Sequence, residues 1–165
     1  MKSISSIPDK IFTIEELGSQ LNRWHLLNKK IVFTNGVFDI LHEGHIASLS
    51  EAALYGHILI VGVNSDASVK RLKGDSRPVN SETSRALLLA SLVMVDAVIL
   101  FEEDTPLNLI TTILPDILVK GGDYTIEQIV GAKEVMAHGG EVKIAPILEG
   151  FSTTGIINKM KSMGI

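Results

Sequence analysis

His42-Glu43-Gly44-His45 sets two imidazoles three positions apart around a glycine, just after the apolar run Ile31 to Phe33 and a small-residue turn at Asn35-Gly36. Asn35 and Gly36 permit a tight turn with close backbone approach, and Gly44 keeps a side chain out of the space between the two rings. Backbone N–H groups at such a turn, added to the positive end of a following helix, suit a polyphosphate. A zinc-protease helix spaces its histidines at i and i+4, so the separation of three, broken by Gly44, argues against zinc. Either histidine alone would be read as a helix-start residue with a local hydrogen bond. The pair around a glycine shifts the reading to function.

Further anion-binding residue types follow along the chain. Lys70-Arg71-Leu72-Lys73-Gly74 with Arg77-Pro78 reads as a mobile loop carrying four positive charges, and Arg85 extends that field from an exposed helix face. Lys120-Gly121-Gly122-Asp123-Tyr124 leaves a strand with a cation, two glycines, a carboxylate and a phenol. Ser152-Thr153-Thr154 after Gly150 can cap a helix while pointing hydroxyl and N–H groups at an anion. Asn64 and Asp66 close an apolar strand, where either a plain turn or a substrate contact fits. Asp39 offers a carboxylate to Mg²⁺, or to the backbone around its own turn.

Taken in order, these motifs resemble the cytidylyltransferase-like nucleotidyltransferases from Lys30 to Lys159, and the Lys120 to Tyr124 block is most similar to the adenylyltransferases of the bacterial heptose pathway. The resemblance implies transfer of AMP from ATP to D-glycero-β-D-manno-heptose 1-phosphate, with Mg²⁺ accompanying the nucleotide. It also implies roles. His42, His45, Lys70 and Lys73 act on the triphosphate as charge develops. Asn35, Gly36, Val37, Phe38, Gly44, Arg77, Arg85, Lys120, Gly121, Asp123, Ser152, Thr153 and Thr154 bind nucleotide. Asn64, Asp66 and Tyr124 face the acceptor, and Asp39 is the candidate metal ligand. No nucleophile–base pair is needed, because a phosphate monoester with its second pKa near ~6 is largely dianionic at neutral pH. The protein's task is to align two anions and offset growing charge.

Two relatives in chemistry compete. A cytidylyltransferase for glycerol phosphate or an amino-alcohol phosphate would share most motifs, but such enzymes carry an arginine shortly before the glycine, where this chain has Leu148-Glu149-Gly150. A nucleotide-binding module without turnover would keep the fold but has no need of both histidines and both lysines. The His42 to His45 block also resembles the adenylate site of class I aminoacyl-tRNA synthetases, with Lys159-Met160-Lys161-Ser162 mimicking their second motif; 165 residues leave no room for tRNA recognition.

The elements that must position these groups alternate. Thr13 and Glu16 form a capping-box pattern for a helix to Trp24, followed by a strand from Ile31 to Thr34 and a helix from His45 to Tyr55. Ile58 to Val63 is apolar on both faces, as a central parallel strand is. Ser81 to Ser91 predicts a helix, Ala97 to Phe101 a strand, Pro106 to Ile113 a helix, Ile117 to Lys120 a strand, Ile126 to His138 a helix and Val142 to Ala145 the last strand. Such alternation predicts an α/β fold: a Rossmann-like, doubly wound parallel sheet in three layers, with ligands at the carboxyl ends of strands. One domain is expected over 1–165, with a helical extension at 1–29 and a core at 30–160.

Composition narrows the classes. A hydrophobic fraction of 45% supports a sizeable core, and a net charge of −4 argues against a general nucleic-acid binder. Zero cysteines remove a disulfide framework and a thiolate nucleophile. The longest apolar stretch, Ala86 to Leu100, is interrupted by Asp96, and Met1 to Lys10 lacks the apolar core of a signal sequence. A cytoplasmic enzyme with no membrane partner is expected. With no kinase domain attached, a separate heptose kinase and phosphatase would complete the pathway. A homodimer is expected from the resemblance alone.

Overall fold

The computed structural model describes residues 6–122, 124–146 and 150–164. Six parallel strands form one sheet: β1 (Ile11–Phe12), β2 (Ile31–Gly36), β3 (Ile58–Asn64), β4 (Ala97–Phe101), β5 (Ile117–Gly121) and β6 (Glu141–Ala145), in the order β1-β4-β3-β2-β5-β6. The chain steps outward from β2 through β3 to β4, then returns to β5 on the other flank of β2. The carboxyl ends of β2 and β5 therefore flank the switch point, where doubly wound sheets open a crevice.

Among the described residues seven α-helices cover the sheet: α1 (Ile14–Leu26), α2 (Glu43–Ala53), α3 (Asp66–Lys73), α4 (Glu82–Ala90), α5 (Leu107–Ile113), α6 (Ala132–Ala137) and α7 (Thr153–Ser162). Strand side chains alternate between two cores, as a period of two requires. Phe33, Ile60, Ile99 and Leu118 join Leu17, Leu21, Trp24, Ile110 and Val135 beneath α1, α5 and α6. Val32, Val61, Val98 and Val119 join Leu49, Ala52, Ala86 and Leu89 beneath α2 and α4. Two aspartates pin the opposite end of the sheet: Asp116 Oδ2 accepts from the Ile31 N–H at 2.7 Å, and Asp96 Oδ2 from the Leu59 N–H at 2.8 Å.

The three-layer parallel architecture is the one expected from the alternation. Thr13 caps α1 through a full capping box with Glu16. Three local expectations are corrected. The basic segment from Lys70 is no mobile loop up to Gly74, because Ser65 caps α3 through the Ser68 N–H at 3.1 Å and Val69 is fully buried beneath it. The predicted helix from Ile126 to His138 breaks into a 3-10 turn, Ile126–Gln128, and α6, where Ile129 runs extended into the core and Gly131 adopts a φ of 84°. The segment before Lys30 adds β1 to the sheet edge beside β4 and, through α1, supplies three core side chains.

Candidate active site

Strand β2 ends at Gly36, and Val37-Phe38-Asp39 turns the chain toward α2 with Phe38 at a φ of 50°, a region costly for a residue with a side chain. Two buried groups hold the turn. Arg85 is fully buried; its Nη1 donates to the Val37 carbonyl at 2.6 Å, its Nε to the Asn80 carbonyl at 3.0 Å and its Nη2 to Asp66 Oδ1 at 2.7 Å. Asp39, 1% exposed, accepts from Arg77 Nε at 2.7 Å and from the backbone N–H groups of Val79 and Asn80. Asn80 Nδ2 donates to the Asp39 carbonyl at 2.6 Å. Burial works to raise the Asp39 carboxyl, but the two N–H groups and the Arg77 guanidinium outweigh it and hold the carboxyl below its ordinary value.

These contacts bear on four residues singled out in the sequence. Asp39 is not placed as a metal ligand, since both its oxygens are committed to the 77–80 segment. Arg85 lies inside the fold rather than on an exposed face, its guanidinium taken up by the Val37 and Asn80 carbonyls and the Asp66 carboxylate. Asn64 is buried with its amide on Ser68 Oγ at 3.0 Å, and Oδ1 of the half-buried Asp66 carboxylate holds Arg85. Asn80, which sequence reasoning passed over, closes the turn from the far side; only its place before the Ser81 cap hinted at a structural role.

His42 caps α2 with extended backbone, and His45 follows in the first turn. The two rings stack with centroids 3.8 Å apart and planes at 22°, and Phe38 lies 5.2 Å from His45 on its other side. A Cβ at Gly44 would meet the His42 ring at 3.1 Å and the Phe151 Cβ at 3.3 Å, so glycine is what lets ring, turn and α7 close up. Both Nδ1 atoms are buried without a hydrogen-bond partner among the described residues. Burial lowers His42 below its ordinary value, and burial with the His42 imidazole alongside pushes His45 down to about 4. The pair is thus neutral at pH 7 and lies at a helix N-terminus with unmet hydrogen-bonding capacity.

Ser152 caps α7 by accepting from the Gly155 N–H at 3.0 Å, and Thr153 Oγ1 reaches the Ile40 carbonyl at 3.5 Å. The capping half of the expected role is in place, with Thr154 exposed in the first turn. The start of α7 is thereby docked on the turn ahead of His42, and two helix N-termini converge there. Across the switch point, Lys120 Nζ donates to Asn35 Oδ1 at 3.3 Å. Burial lowers its ammonium below the ordinary value, and no ion pair holds it among the described residues. Asn35, Gly36, Val37, Phe38, His45, Lys120, Gly121 and Tyr124 line a cleft of about 240 Å³, joined by Ser48, which the sequence did not single out. A Cβ on Gly122, at a φ of 133°, would strike the Tyr124 ring at 2.7 Å, so this glycine allows the phenol to fold over the rim.

Lys70 and Lys73 lie exposed in the last turn of α3 and make no hydrogen bond or ion pair among the described residues. Arg71 is drawn away to Asp104, at 2.7 Å, and to the Glu102 carbonyl. Asp123 lies outside the described residues, as do Leu148 and Glu149. Among the described residues no group of three or more His, Asp or Glu side chains forms a metal cage. With Asp39 committed elsewhere, the donor set does not fit a resident Mg²⁺.

Residues 33–159 match the family model described as cytidylyltransferase-like. The chain is 51% identical over 158 residues to the bifunctional protein HldE of Koribacter versatilis, covering 96% of this chain and 32% of that protein. It is 55% identical over 144 residues to the bifunctional protein HldE of Nitrobacter winogradskyi, covering 87% and 30%. The chain thus spans about a third of the length of these curated relatives. The crystal structure of the lipopolysaccharide core biosynthesis protein from Thermoplasma volcanium is 35% identical with a TM-score of 0.58, covering 73% of this chain and 97% of that one. The pantoate-beta-alanine ligase of Francisella tularensis, complexed with beta-gamma ATP and beta-alanine, shares the fold at 18% identity and a TM-score of 0.59, covering 94% of this chain and 78% of that one.

Proposed function

The chain belongs to the cytidylyltransferase-like family of nucleotidyltransferases, and from that premise we propose that it transfers AMP from ATP to D-glycero-β-D-manno-heptose 1-phosphate, releasing pyrophosphate. The observation that carries this reading is the identity of about half the residues with HldE proteins over nearly the whole chain. The place of Lys120 and Gly121 in the lining of the switch-point crevice supports it.

The sugar phosphate dianion attacks the α-phosphorus of ATP, forming the new P–O bond as the bond to the pyrophosphate oxygen breaks. No base is required at neutral pH. In this reading the turn from Asn35 to Phe38, with Gly44, admits the triphosphate against the N-terminus of α2, and His42 and His45 donate to its oxygens as charge builds. Ser152, Thr153 and Thr154 present a second helix N-terminus, and Lys120 with Gly121 faces the acceptor phosphate. Tyr124 covers the rim, with Asp123 in the same segment. Lys70 and Lys73 close on the triphosphate from α3, and Arg77, steered by Asp39, adds a guanidinium from below. Mg²⁺ enters with ATP, held by phosphate oxygens and water.

The product would supply a surface glycan such as lipopolysaccharide. The enzyme would work in the cytoplasm beside a heptose kinase and phosphatase, and as a homodimer. The test is pyrophosphate release from each of the four ribonucleoside triphosphates paired with heptose 1-phosphate anomers, glycerol 3-phosphate or phosphoethanolamine. Turnover confined to ATP with the β-heptose phosphate is expected. Turnover with CTP and a polyol phosphate would replace the reading, and nucleotide binding with no pyrophosphate from any pair would reduce the chain to a binding module.

A further inference from the structure

Lys120 stands between two cavities. On one side is the cleft of Gly36 and His45; on the other, a separate cavity of about 210 Å³ is floored by Leu118, Ile129 and Pro106 and bordered by Gln128 and Val130. Asn35, Lys120 and Tyr124 border both. The second cavity is smaller than the roughly 300–1,000 Å³ typical of drug-sized ligands, and joins an apolar floor to two amides, a phenol and one cation. The apolar floor and the amide and phenol groups match the C–H faces and hydroxyls of a polyhydroxylated ring, and the cation matches its phosphate.

We propose that this second cavity is the acceptor subsite, taking the carbon skeleton of a single sugar phosphate while Lys120 at its mouth holds the phosphate in line with the nucleotide in the adjoining cleft. The inference rests on the heptose reading above and adds where the acceptor lies and what selects it. Lys120 is suited to the position, since its ammonium is largely withdrawn from water and has only the neutral Asn35 amide as a partner among the described residues. A dianion arriving there gains a charge-assisted hydrogen bond in a poorly screened site. The carbon skeleton then decides which phosphate stays.

The test is calorimetric binding of β-heptose 1-phosphate to protein saturated with a non-hydrolysable ATP analogue. Wild type is compared with Val130→Trp, which fills the cavity from an exposed position, and with Lys120→Met and Lys120→Arg. Val130→Trp should weaken the sugar phosphate at least roughly tenfold and leave the affinity for the ATP analogue unchanged. Lys120→Met should weaken it by roughly 10- to 100-fold, with Lys120→Arg recovering part of the loss. Equal melting temperatures establish that each variant is folded. Val130→Trp binding the sugar phosphate as wild type does, or losing the ATP analogue to the same degree, overturns the subsite. Wild type that binds the ATP analogue and no sugar phosphate at all overturns the heptose reading itself, and the subsite with it.

Discussion

His42 and His45 spend the resting state as neutral, stacked rings, and under the proposed function this sets what they do when a triphosphate arrives. Phosphate oxygens beside a buried imidazole favour its protonated form, reversing the effect that lowers it in the free protein. Near pH 6, below the ordinary histidine value yet above the value of about 4 for His45, ATP binding should take up protons. Calorimetry in buffers of differing ionisation enthalpy reads that uptake directly. It should shrink in His45→Gln. Replacing either histidine by alanine should lower kcat by roughly 10²- to 10³-fold, as loss of one preorganised donor does, with a smaller change in KM for ATP. Asp39 makes a contrasting prediction. Its carboxylate serves Arg77 and two backbone N–H groups, so Asp39→Asn should destabilise the protein by about 3 kcal/mol while the Mg²⁺ concentration for half-maximal activity stays as in wild type. A raised Mg²⁺ requirement would return Asp39 to the metal.

Arg85 works between elements. From α4 it ties the β2–α2 turn at Val37 to the start of α3 at Asp66 and to the end of the 77–80 segment. Arg85→Met leaves two carbonyls and a carboxylate short of a donor, and should cost about 3 kcal/mol of stability in denaturant melts. Arg85→Lys, keeping charge but not the fork, should recover only part. None of this was legible in the sequence, because the partners of Arg85 lie 48, 19 and 5 residues away and burial is a tertiary fact. The caps at Thr13, Ser81 and Ser152 were legible because capping is local chemistry, read over three residues. Helix α3 escaped because its basic residues and Gly74 resemble a loop, and Val69 is the one apolar side chain among its two buried residues. The break at Ile129-Val130-Gly131 escaped for a related reason: an apolar residue fits a helical period equally well whether it continues a helix or plugs into the sheet.

Across the whole molecule, a chain of net charge −4 assembles a local field for anions from two helix N-termini, two neutral imidazoles and one shielded ammonium. The parallel sheet is what brings them together, since its carboxyl ends all open on one side and its order reverses between β2 and β5. No described helix is long and apolar enough to cross a membrane. The half-buried histidine pair also makes stability depend on pH. The folded value of His45 lies below the unfolded one, so the unfolded chain binds more protons through that window. The contribution is complete above about pH 6.5 and is lost as pH falls toward about 4. His45→Gln should therefore flatten the fall in denaturation midpoint over that window relative to wild type. An unchanged slope would place the pair in contact with solvent.

The account stands or falls on direct transfer between two phosphates. Heptose 1-phosphate carrying ¹⁸O on its phosphate, incubated with unlabelled ATP, should give ADP-heptose that retains all the label, one labelled oxygen forming the new bridge, beside unlabelled pyrophosphate in the mass spectrum. Label in the pyrophosphate, or free AMP with no sugar nucleotide, would contradict the central claim.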